Sequence, residues 1–446
     1  SRLCAKLMKE QLPDYEVYKL LREAFRGGNC HANRYYVGEI LENVHSADRS
    51  SSYPDVQCND RFPMGTFQRV NDCNIGHIMD LITKRHKAVL LRIAMMDDIK
   101  LQDPRWPVPY IPIDKCRNLT GEVVDNGRVL SADYLEITVT DVDLLIIMSE
   151  YTCGQYVVFD AFQTYYGKMP DELRKVTIDY YKKKTALKGV AGQEIQYTKS
   201  KNKLNSIYGM SAQDPVKAEF HYDADRDAEG KDIFYQNDDN PEELLEAFNA
   251  HAFLAYQHGV WITAWARYRL EEGIRLAGHN FVYADTDSVK YLGDIDWRRY
   301  NSIREAASRE SGAFATDPAG HTHYMGVYEF EGTYDEFVTW GAKIYAVKES
   351  GKVKVTIAGV NKKIGGAELE KAGGLEALQP GFVFEDAGGL ESVYNDGWTD
   401  YTVEGHTIKI GPNICLRPST YEVCKTRVGV DLCNKLDNGS KVVDNF

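Results

Sequence analysis

The sequence predicts an α+β protein built from several packed units. The chain has 446 residues, of which 43% are apolar, more than one simple core accommodates. Strand-like patterns cluster between residues 87 and 140, whereas helical patterns occupy 169–187, 193–208 and 241–275. The segments that carry chemistry are dispersed along the chain rather than gathered in one unit.

The elements follow in order. Residues 14–25 read as a helix that stops at Gly27-Gly28. "YYVGEILENVHSADRSSSYP" reads as a strand running into a turn or helix start at Tyr53-Pro54. From 87 the pattern is β: "KAVLLRIAMM", then "GEVVDNGRVL" with a hairpin turn at Asn126-Gly127, then "YLEITVT". Two helices cover 169–187 and 193–208. The acidic stretches "DADRDAEGKD" and "YQNDDNPEE" read as a loop or the rim of an insertion. A long helix over 241–275 leads into the strand "FVYADTDSVKY", residues 281–291. Strands return at 325–332, 338–348 and 352–359, and the Gly-rich tail from 361 shows no clear period.

Composition narrows the function. No run of about 18 apolar residues exists, so no membrane span is expected. The N-terminus, "SRLCAKLMKEQLPDYEVYKLL", lacks the apolar centre of a secretory signal, and without Met it reads as a processed or trimmed end. Nine cysteines contain no C-x-x-C pair, and the nine-residue repeat of Cys415, Cys424 and Cys433 matches no metal spacing. Reduced thiols in a cytoplasmic setting are expected. A net charge of −13 argues against a general polyanion-coating protein, but leaves room for a nucleic-acid enzyme with a local basic channel.

Asp285 and Asp287 stand one residue apart in an apolar run. On a strand they point the same way, and two like charges on one face fit a cation between them. Alone, "DTD" reads equally well as a hairpin turn with exposed acids. Asp48, in "VHSADRSSSYPDVQ", is a candidate third acid; alone it reads as a turn residue or helix cap. In "KSKNKLNSIYGM", Lys201, Asn205 and Tyr208 share one helical face, closed by Gly209. A lysine meets phosphate, an amide hydrogen-bonds and a tyrosine ring packs on a base. Without metal-binding acids this is a solvated face; with them it suggests a nucleoside triphosphate held between cations and metal.

These three segments resemble motifs A, B and C of family B DNA polymerases, in that order. Motif A, D-x-x-S-L-Y-P, appears as "DRSSSYP", with Ser52 where Leu is usual. Motif B, K-x-x-x-N-S-x-Y-G, is intact as "KNKLNSIYG", and motif C, Y-x-D-T-D-S, as "YADTDS". Further stretches resemble the protein-primed phage and mobile-element branch. "FRGG" at 25–28 is similar to Y-x-G-G with Phe25 for Tyr, and "TYYGK" at 164–168 to T-x-x-G-R with Lys168 for Arg. "GVWITAWARY" resembles the helix before motif C, "KIY" at 343–345 resembles K-x-Y, and "TIAGVNKK" extends the match toward the thumb. The resemblance covers roughly residues 20–363.

It implies a right-hand polymerase with palm, fingers and thumb plus two insertions of the protein-primed type. Residues 1–65 and 259–360 would form the palm, 169–211 the fingers, 66–168 and 212–258 the insertions, and 361–446 the thumb, the last by position only. One insertion would clasp a terminal protein and duplex. The other would encircle the template, although its acidic character here argues against strong processivity.

The reaction implied is template-directed addition of dNTPs to a 3′-hydroxyl with two Mg²⁺ ions, Mn²⁺ substituting, in protein-primed replication of a phage or mobile element. Asp48 and Asp287 would be metal ligands, Asp285 a supporting acid, and Lys201 a phosphate ligand and general acid. The backbone at Ser51 and Ser52 would contact the triphosphate. Tyr53 would pack on the sugar and exclude a 2′-hydroxyl, and Asn205 and Tyr208 would line the nascent pair. Arg26, Gly27, Gly28, Thr164, Gly167, Lys168 and Thr286 would meet DNA, and Lys343 and Tyr345 would hold the primer strand. Partners implied are DNA template and primer, dNTPs and a terminal priming protein, with no membrane, in the host cytoplasm for a viral protein. Only 24 residues precede Phe25, so no proofreading domain is expected in this chain.

Blander readings stand beside these. Gly27-Gly28 serves as a helix stop, Lys343 and Tyr345 as strand surface, "YYKKK" at 180–184 as a solvated helix face, and Trp261 and Trp265 as core. A reverse transcriptase also presents paired aspartates, but motif B speaks against it. A polymerase-like DNA-binding protein with weak or no catalysis is the alternative; the intact acids and Lys201 speak against it, while Ser52, Phe25 and Lys168 are compatible with a weakened enzyme.

Overall fold

The computed structural model describes residues 8–423 except 217–219, 223–233, 237–239, 253, 396, 398, 404–405 and 412. The stretch "DADRDAEGKD", parts of the second expected insertion, and Cys424 and Cys433 lie outside the described residues.

Asp14 opens helix α1 (Tyr15–Ala24): its carboxylate accepts from the Val17 amide at 2.9 Å, and Val17, Tyr18, Leu20 and Leu21 face the core. Strands β1 (Cys30–Ala32) and β2 (Leu41–Arg49) and helix α2 (Ser52–Asn59) follow. Residues 62–167 then build a sheet of their own. It contains β3 (Phe62–Pro63), β4 (Gln68–Arg69), β5 (Lys87–Leu101), β6 (Cys116–Thr120), β7 (Val123–Asp125), β8 (Arg128–Thr140), β9 (Tyr151–Thr152) and β10 (Gln155–Gly167), with helices α3 (Ile75–Thr83) and α4 (Asp141–Glu150) between them. The strand order is β3-β10-β5-β8-β6, with β4 on β10, β7 on β8 and β9 on β5. Asn126 and Gly127 take φ of 47° and 76°, the left-handed pair that a two-residue hairpin needs and that Asn-Gly tolerates.

Helices α5 (Asp171–Ala186) and α6 (Glu194–Ser211) pack against each other, as their periodicity predicts. A short ribbon, β11 (Phe220–Tyr222) with β12 (Phe234–Gln236), precedes α7 (Pro241–His251) and α8 (Tyr256–Ala277). The single helix expected over 241–275 is therefore two. Ala252 and Ala255 are extended, Ala255 is buried beside Met8, and a Cβ on Gly259 would overlap the Ser211 carbonyl. Tertiary packing, not propensity, breaks the helix.

Next come β13 (Phe281–Asp285), β14 (Ser288–Tyr291), α9 (Arg298–Ser311), β15 (Phe314–Thr316), β16 (Thr322–Tyr324), β17 (Tyr328–Gly341), β18 (Ile344–Glu349), β19 (Lys352–Ile357) and α10 (Lys362–Lys371). β17 is one strand where a break was expected near 333–337. A bulge between Phe330 and Gly332 absorbs the polar stretch, and pairing with β2 holds it in the sheet. The reversal comes instead at Ala342-Lys343, where Lys343 takes φ 63°. Beyond α10, short strand pairs run to Glu422.

The second large sheet is antiparallel, in the order β1-β13-β14-β2-β17-β18-β19. It brings residues 30–49, 281–291 and 328–357 side by side, and its buried Val44, Val282, Phe337 and Ile344 anchor one core. Among the described residues no helix is long and apolar enough to cross a membrane. Cys30, Cys58, Cys73, Cys116 and Cys153 are free thiols.

Candidate active site

Residues 281–291 do not form one strand. Asp285 pairs with Ser288, leaving Thr286-Asp287 as the turn of a tight hairpin, so Asp285 ends a strand and Asp287 sits in the turn, and the two do not share a strand face. Thr286 takes φ 61°, a left-handed conformation that a β-branched residue adopts only under constraint. The constraint comes from the loop after α1: the Thr286 amide donates to the Asn29 carbonyl at 2.7 Å. Gly28 lies against the same side chain, and a Cβ there would sit 2.8 Å from the Thr286 methyl. Gly28→Ala is therefore expected to displace the hairpin tip. Stability should fall by about 1–3 kcal/mol, read by thermal unfolding.

Strand β14 lies beside β2 with Ser288 opposite Asp48, and the Arg49 amide donates to the Asp287 carbonyl at 2.8 Å. Asp48 and Asp287 thus meet at the ends of neighbouring segments. Burial, then the Asp287 and Glu331 charges, push the Asp48 carboxyl up to about 8. Burial lifts Asp287 to about 6 against the pull of the Arg49 guanidinium, with Asp285 adding to the rise. Among the described residues no group of three or more His, Cys, Asp or Glu side chains forms a ready metal cage. Two crowded carboxylates fit Mg²⁺ better than a full cage does, because Mg²⁺ usually takes one or two carboxylates and fills its shell with water and substrate phosphate. Asp285 faces elsewhere: its carboxylate accepts from Lys343 Nζ and, at 3.0 Å, from Thr286 Oγ1.

A carboxyl raised in the fold binds more protons folded than unfolded between its unfolded value near 4 and its folded value. Stability of the metal-free protein should therefore fall as pH rises from about 4 to about 6 through Asp287, and on to about 8 through Asp48. Calorimetry in EDTA should show this fall, and Asp48→Asn should reduce it. Mg²⁺ should raise the unfolding temperature more at pH 8 than at pH 6.

Helix α6 presents the motif-B face. Lys201 and Asn205 are exposed, while Tyr208 stacks on Tyr53 with ring centroids 4.1 Å apart and planes at 14°. A cation that the sequence left on a solvated face joins them. Lys184 on α5 is half-buried and donates to Ser51 Oγ at 3.0 Å. Burial, then the Lys201 charge, push its ammonium down to about 8. The signal was in the helix period: Thr177, Ile178, Tyr181 and Thr185 form the buried stripe of α5, and Lys184 borders it. Ser51 itself takes φ 51° ahead of α2. The Ser52 side chain turns inward and accepts from Arg49 at 2.8 Å.

Lys343 and Tyr345 do not share a strand face. Lys343 sits in the turn before β18, its amide donating to the Tyr283 hydroxyl at 2.9 Å. Tyr345 packs beside Tyr283 and Phe337, at 4.9 and 5.4 Å between ring centroids. It lines a cleft of about 420 Å³ whose walls also carry Glu331, Glu349, Lys354, Lys362 and Lys363. Arg26 lies 4.5 Å over the Tyr110 ring, and the carbonyls of Arg26 and Gly27 accept from Arg267 at 2.6 and 3.0 Å. Thr164, Gly167 and Lys168 belong to β10 and its end, on the other sheet from the acids. Thr164 is buried, Gly167 abuts Met64, and Lys168 pairs with Glu310 at 3.4 Å. Trp261 is core, its indole N–H donating to Asp141 at 3.0 Å and to the Tyr166 hydroxyl at 2.9 Å.

Residues 4–258, more than half the chain, match the family model described as DNA polymerase type B, organellar and viral. The chain is 26% identical over 282 residues to the DNA polymerases of Bacillus phage Nf and Bacillus phage M2, a stretch covering 62% of this chain and 43% of each relative. It resembles Phi29 DNA polymerase complexed with primer-template DNA and incoming nucleotide substrates, at TM-score 0.61 and 18% identity, over 92% of this chain and 63% of that one. A second Phi29 DNA polymerase structure, with primer-template DNA, gives TM-score 0.62 at 18% identity over 94% and 64%. The likeness is one of fold, an α+β polymerase fold. The chain spans less than half the length of the curated relatives it matches and less than two thirds of the solved ones. The chain belongs to the family of type B DNA polymerases, organellar and viral.

Proposed function

We propose that this chain is a template-directed DNA polymerase that adds dNTPs to a 3′-hydroxyl, of the protein-primed phage type. The observation that carries this reading is the pairing of Ser288 with Asp48, which sets Asp48 beside the hairpin tip of Asp287, whose charge adds to burial in raising the proton affinity of Asp48. In this reading the seven-stranded sheet is the palm, α5 and α6 are the fingers, residues 62–167 and 212–258 are insertions, and residues beyond 361 are the thumb. DNA template and primer, dNTPs and a terminal priming protein are the partners.

Asp48 and Asp287 would hold two Mg²⁺ ions. Such ions would supply Lewis acidity for the attacking hydroxyl and positive charge for the leaving pyrophosphate. Lys184 and Lys201 bind the triphosphate from the opposite side. The Lys184 ammonium, already held near 8, is suited to protonate the leaving group, with Lys201 beside it. Tyr53, backed by Tyr208, faces the sugar. Asp285 orients Lys343 toward the primer end, and the Lys354–Lys362–Lys363 cleft follows the duplex backbone.

Primer extension on a DNA template with Mg²⁺ and dNTPs tests this. Incorporation on DNA and none on RNA is the expected result, and labelled dATP should join an added terminal protein. Lys184→Ala should raise KM for dNTP about 10- to 100-fold, the range of a lost charge-assisted phosphate contact. Protein that incorporates no nucleotide with any template, metal or starter would contradict the reading.

A further inference from the structure

A chain of buried charges holds the first turn of α2, the turn that carries Tyr53. Arg49 and Asp55 are both fully buried. Arg49 Nη1 donates to Ser52 Oγ at 2.8 Å, and Nη2 donates to the Asp55 carboxylate. From α9, Arg304 donates to both Asp55 oxygens at 2.7 and 2.8 Å and reaches Asp60 at 3.4 Å. Arg269 of α8 pairs with the other Asp60 oxygen. A lone buried ion would be costly, but here each guanidinium meets a carboxylate. Burial works against an ionised Asp55, yet Arg304 and Arg49 hold its carboxyl down to about 2. Gly326 shows how closely the chain is enclosed, since a Cβ there would overlap the Asp55 carboxylate.

The placement joins the two halves of the site. Arg49 follows Asp48, and its amide holds the Asp287 carbonyl at 2.8 Å. Its side chain holds Ser52 and Asp55, which flank Tyr53 on the first turn of α2. That turn has no side-chain cap, so a capping hydrogen bond does not fix its position. Position 52 carries Leu in the motif that this segment resembles. Here a serine replaces it and accepts from a buried arginine.

We propose that Arg49 and Ser52, anchored by Asp55 and Arg304, are positioning residues that set the Tyr53 ring and thereby the discrimination against a 2′-hydroxyl. The proposal rests on the sugar-facing reading of Tyr53. A ring that excludes one hydroxyl works by close contact, so a small shift of α2 loosens it, whereas bulk folding depends far less on one internal hydrogen bond.

The test measures kcat/KM for dATP and for ATP on one primer-template, using the full chain. Wild type is compared with Ser52→Ala, the double variant Arg49→Leu/Ser52→Leu, and Tyr53→Val as control, each with its unfolding temperature. The double variant refills the space with apolar volume and leaves Asp55 paired with Arg304. Ser52→Ala is expected to lower the dATP-over-ATP preference about 3- to 10-fold with a fall of only a few degrees in unfolding temperature, since Arg49 keeps its pairing with Asp55. The double variant should lower it further, and Tyr53→Val most. If Tyr53→Val collapses the preference while both bracket variants keep it, the positioning role is overturned. If Tyr53→Val itself keeps the preference, the sugar-facing reading falls and the proposal falls with it.

Discussion

Asp287→Asn should abolish nucleotide incorporation, by roughly a thousandfold or more, while raising the unfolding temperature of the metal-free protein at pH 8. The substitution keeps the shape of the side chain and removes its charge. Asp287 is the strongest neighbouring charge acting on Asp48, so its loss lets the Asp48 carboxyl fall back toward the ordinary range. The fold is thereby relieved of like-charge crowding. On the proposed reading a metal ligand is lost at the same time. The two readouts move in opposite directions, which distinguishes a functional acid from a structural one. A variant that lost both would show that Asp287 holds the fold.

Asp143→Ala should destabilise the protein by about 3–5 kcal/mol in urea denaturation, because it strands a buried guanidinium. Arg267 and Asp143 have side chains only 1% and 2% exposed, and their closest contact is 2.7 Å. Arg267 donates to both Asp143 oxygens, and the Tyr110 hydroxyl donates there as well. Burial alone would raise the Asp143 carboxyl, but Arg267, Arg26 and the Tyr110 hydroxyl together outweigh it and hold the group below its usual range. A depressed carboxyl contributes stability above its unfolded value near 4 and loses it as pH falls below that, so acid should erase much of the difference between wild type and variant. The damage should also reach the site. Arg267 holds the carbonyls of Arg26 and Gly27, next to the Gly28 that seats the Thr286 turn. Replacing both partners, as Arg267→Met/Asp143→Leu, should recover part of the lost stability without restoring the hold on that loop.

Much of the molecule was legible where local chemistry decides. The Asp14 cap, the Asn126-Gly127 turn and the periods of α5 and α6 each depend on residues close in sequence. Motif order also linked Asp48 with Asp287 across most of the chain. What stayed hidden depends on distant neighbours. The turn at Thr286-Asp287 stood only as an alternative to a strand, since it has no Gly or Asn to announce it and a threonine is held at positive φ by Asn29 and Gly28. The break between α7 and α8 comes from packing on Met8 and the end of α6, with no proline or glycine at 252–255. Lys184 looked solvated because three lysines in a row mask which one borders the buried stripe. Arg49 gave no signal, since its partner Asp55 is balanced by Arg304 from much later in the chain.

On the proposed reading Asp48 and Asp287 jointly hold divalent metal while Asp285 serves Lys343. Crystals of the protein with primer-template DNA and a non-hydrolysable deoxynucleoside triphosphate, soaked in Mn²⁺, test it through anomalous scattering. Two peaks ligated by Asp48 and Asp287, with Asp285 still paired to Lys343, are the predicted result. A Mn²⁺ ion bound through Asp285 without Asp48, or no peak at either Asp48 or Asp287, would contradict it.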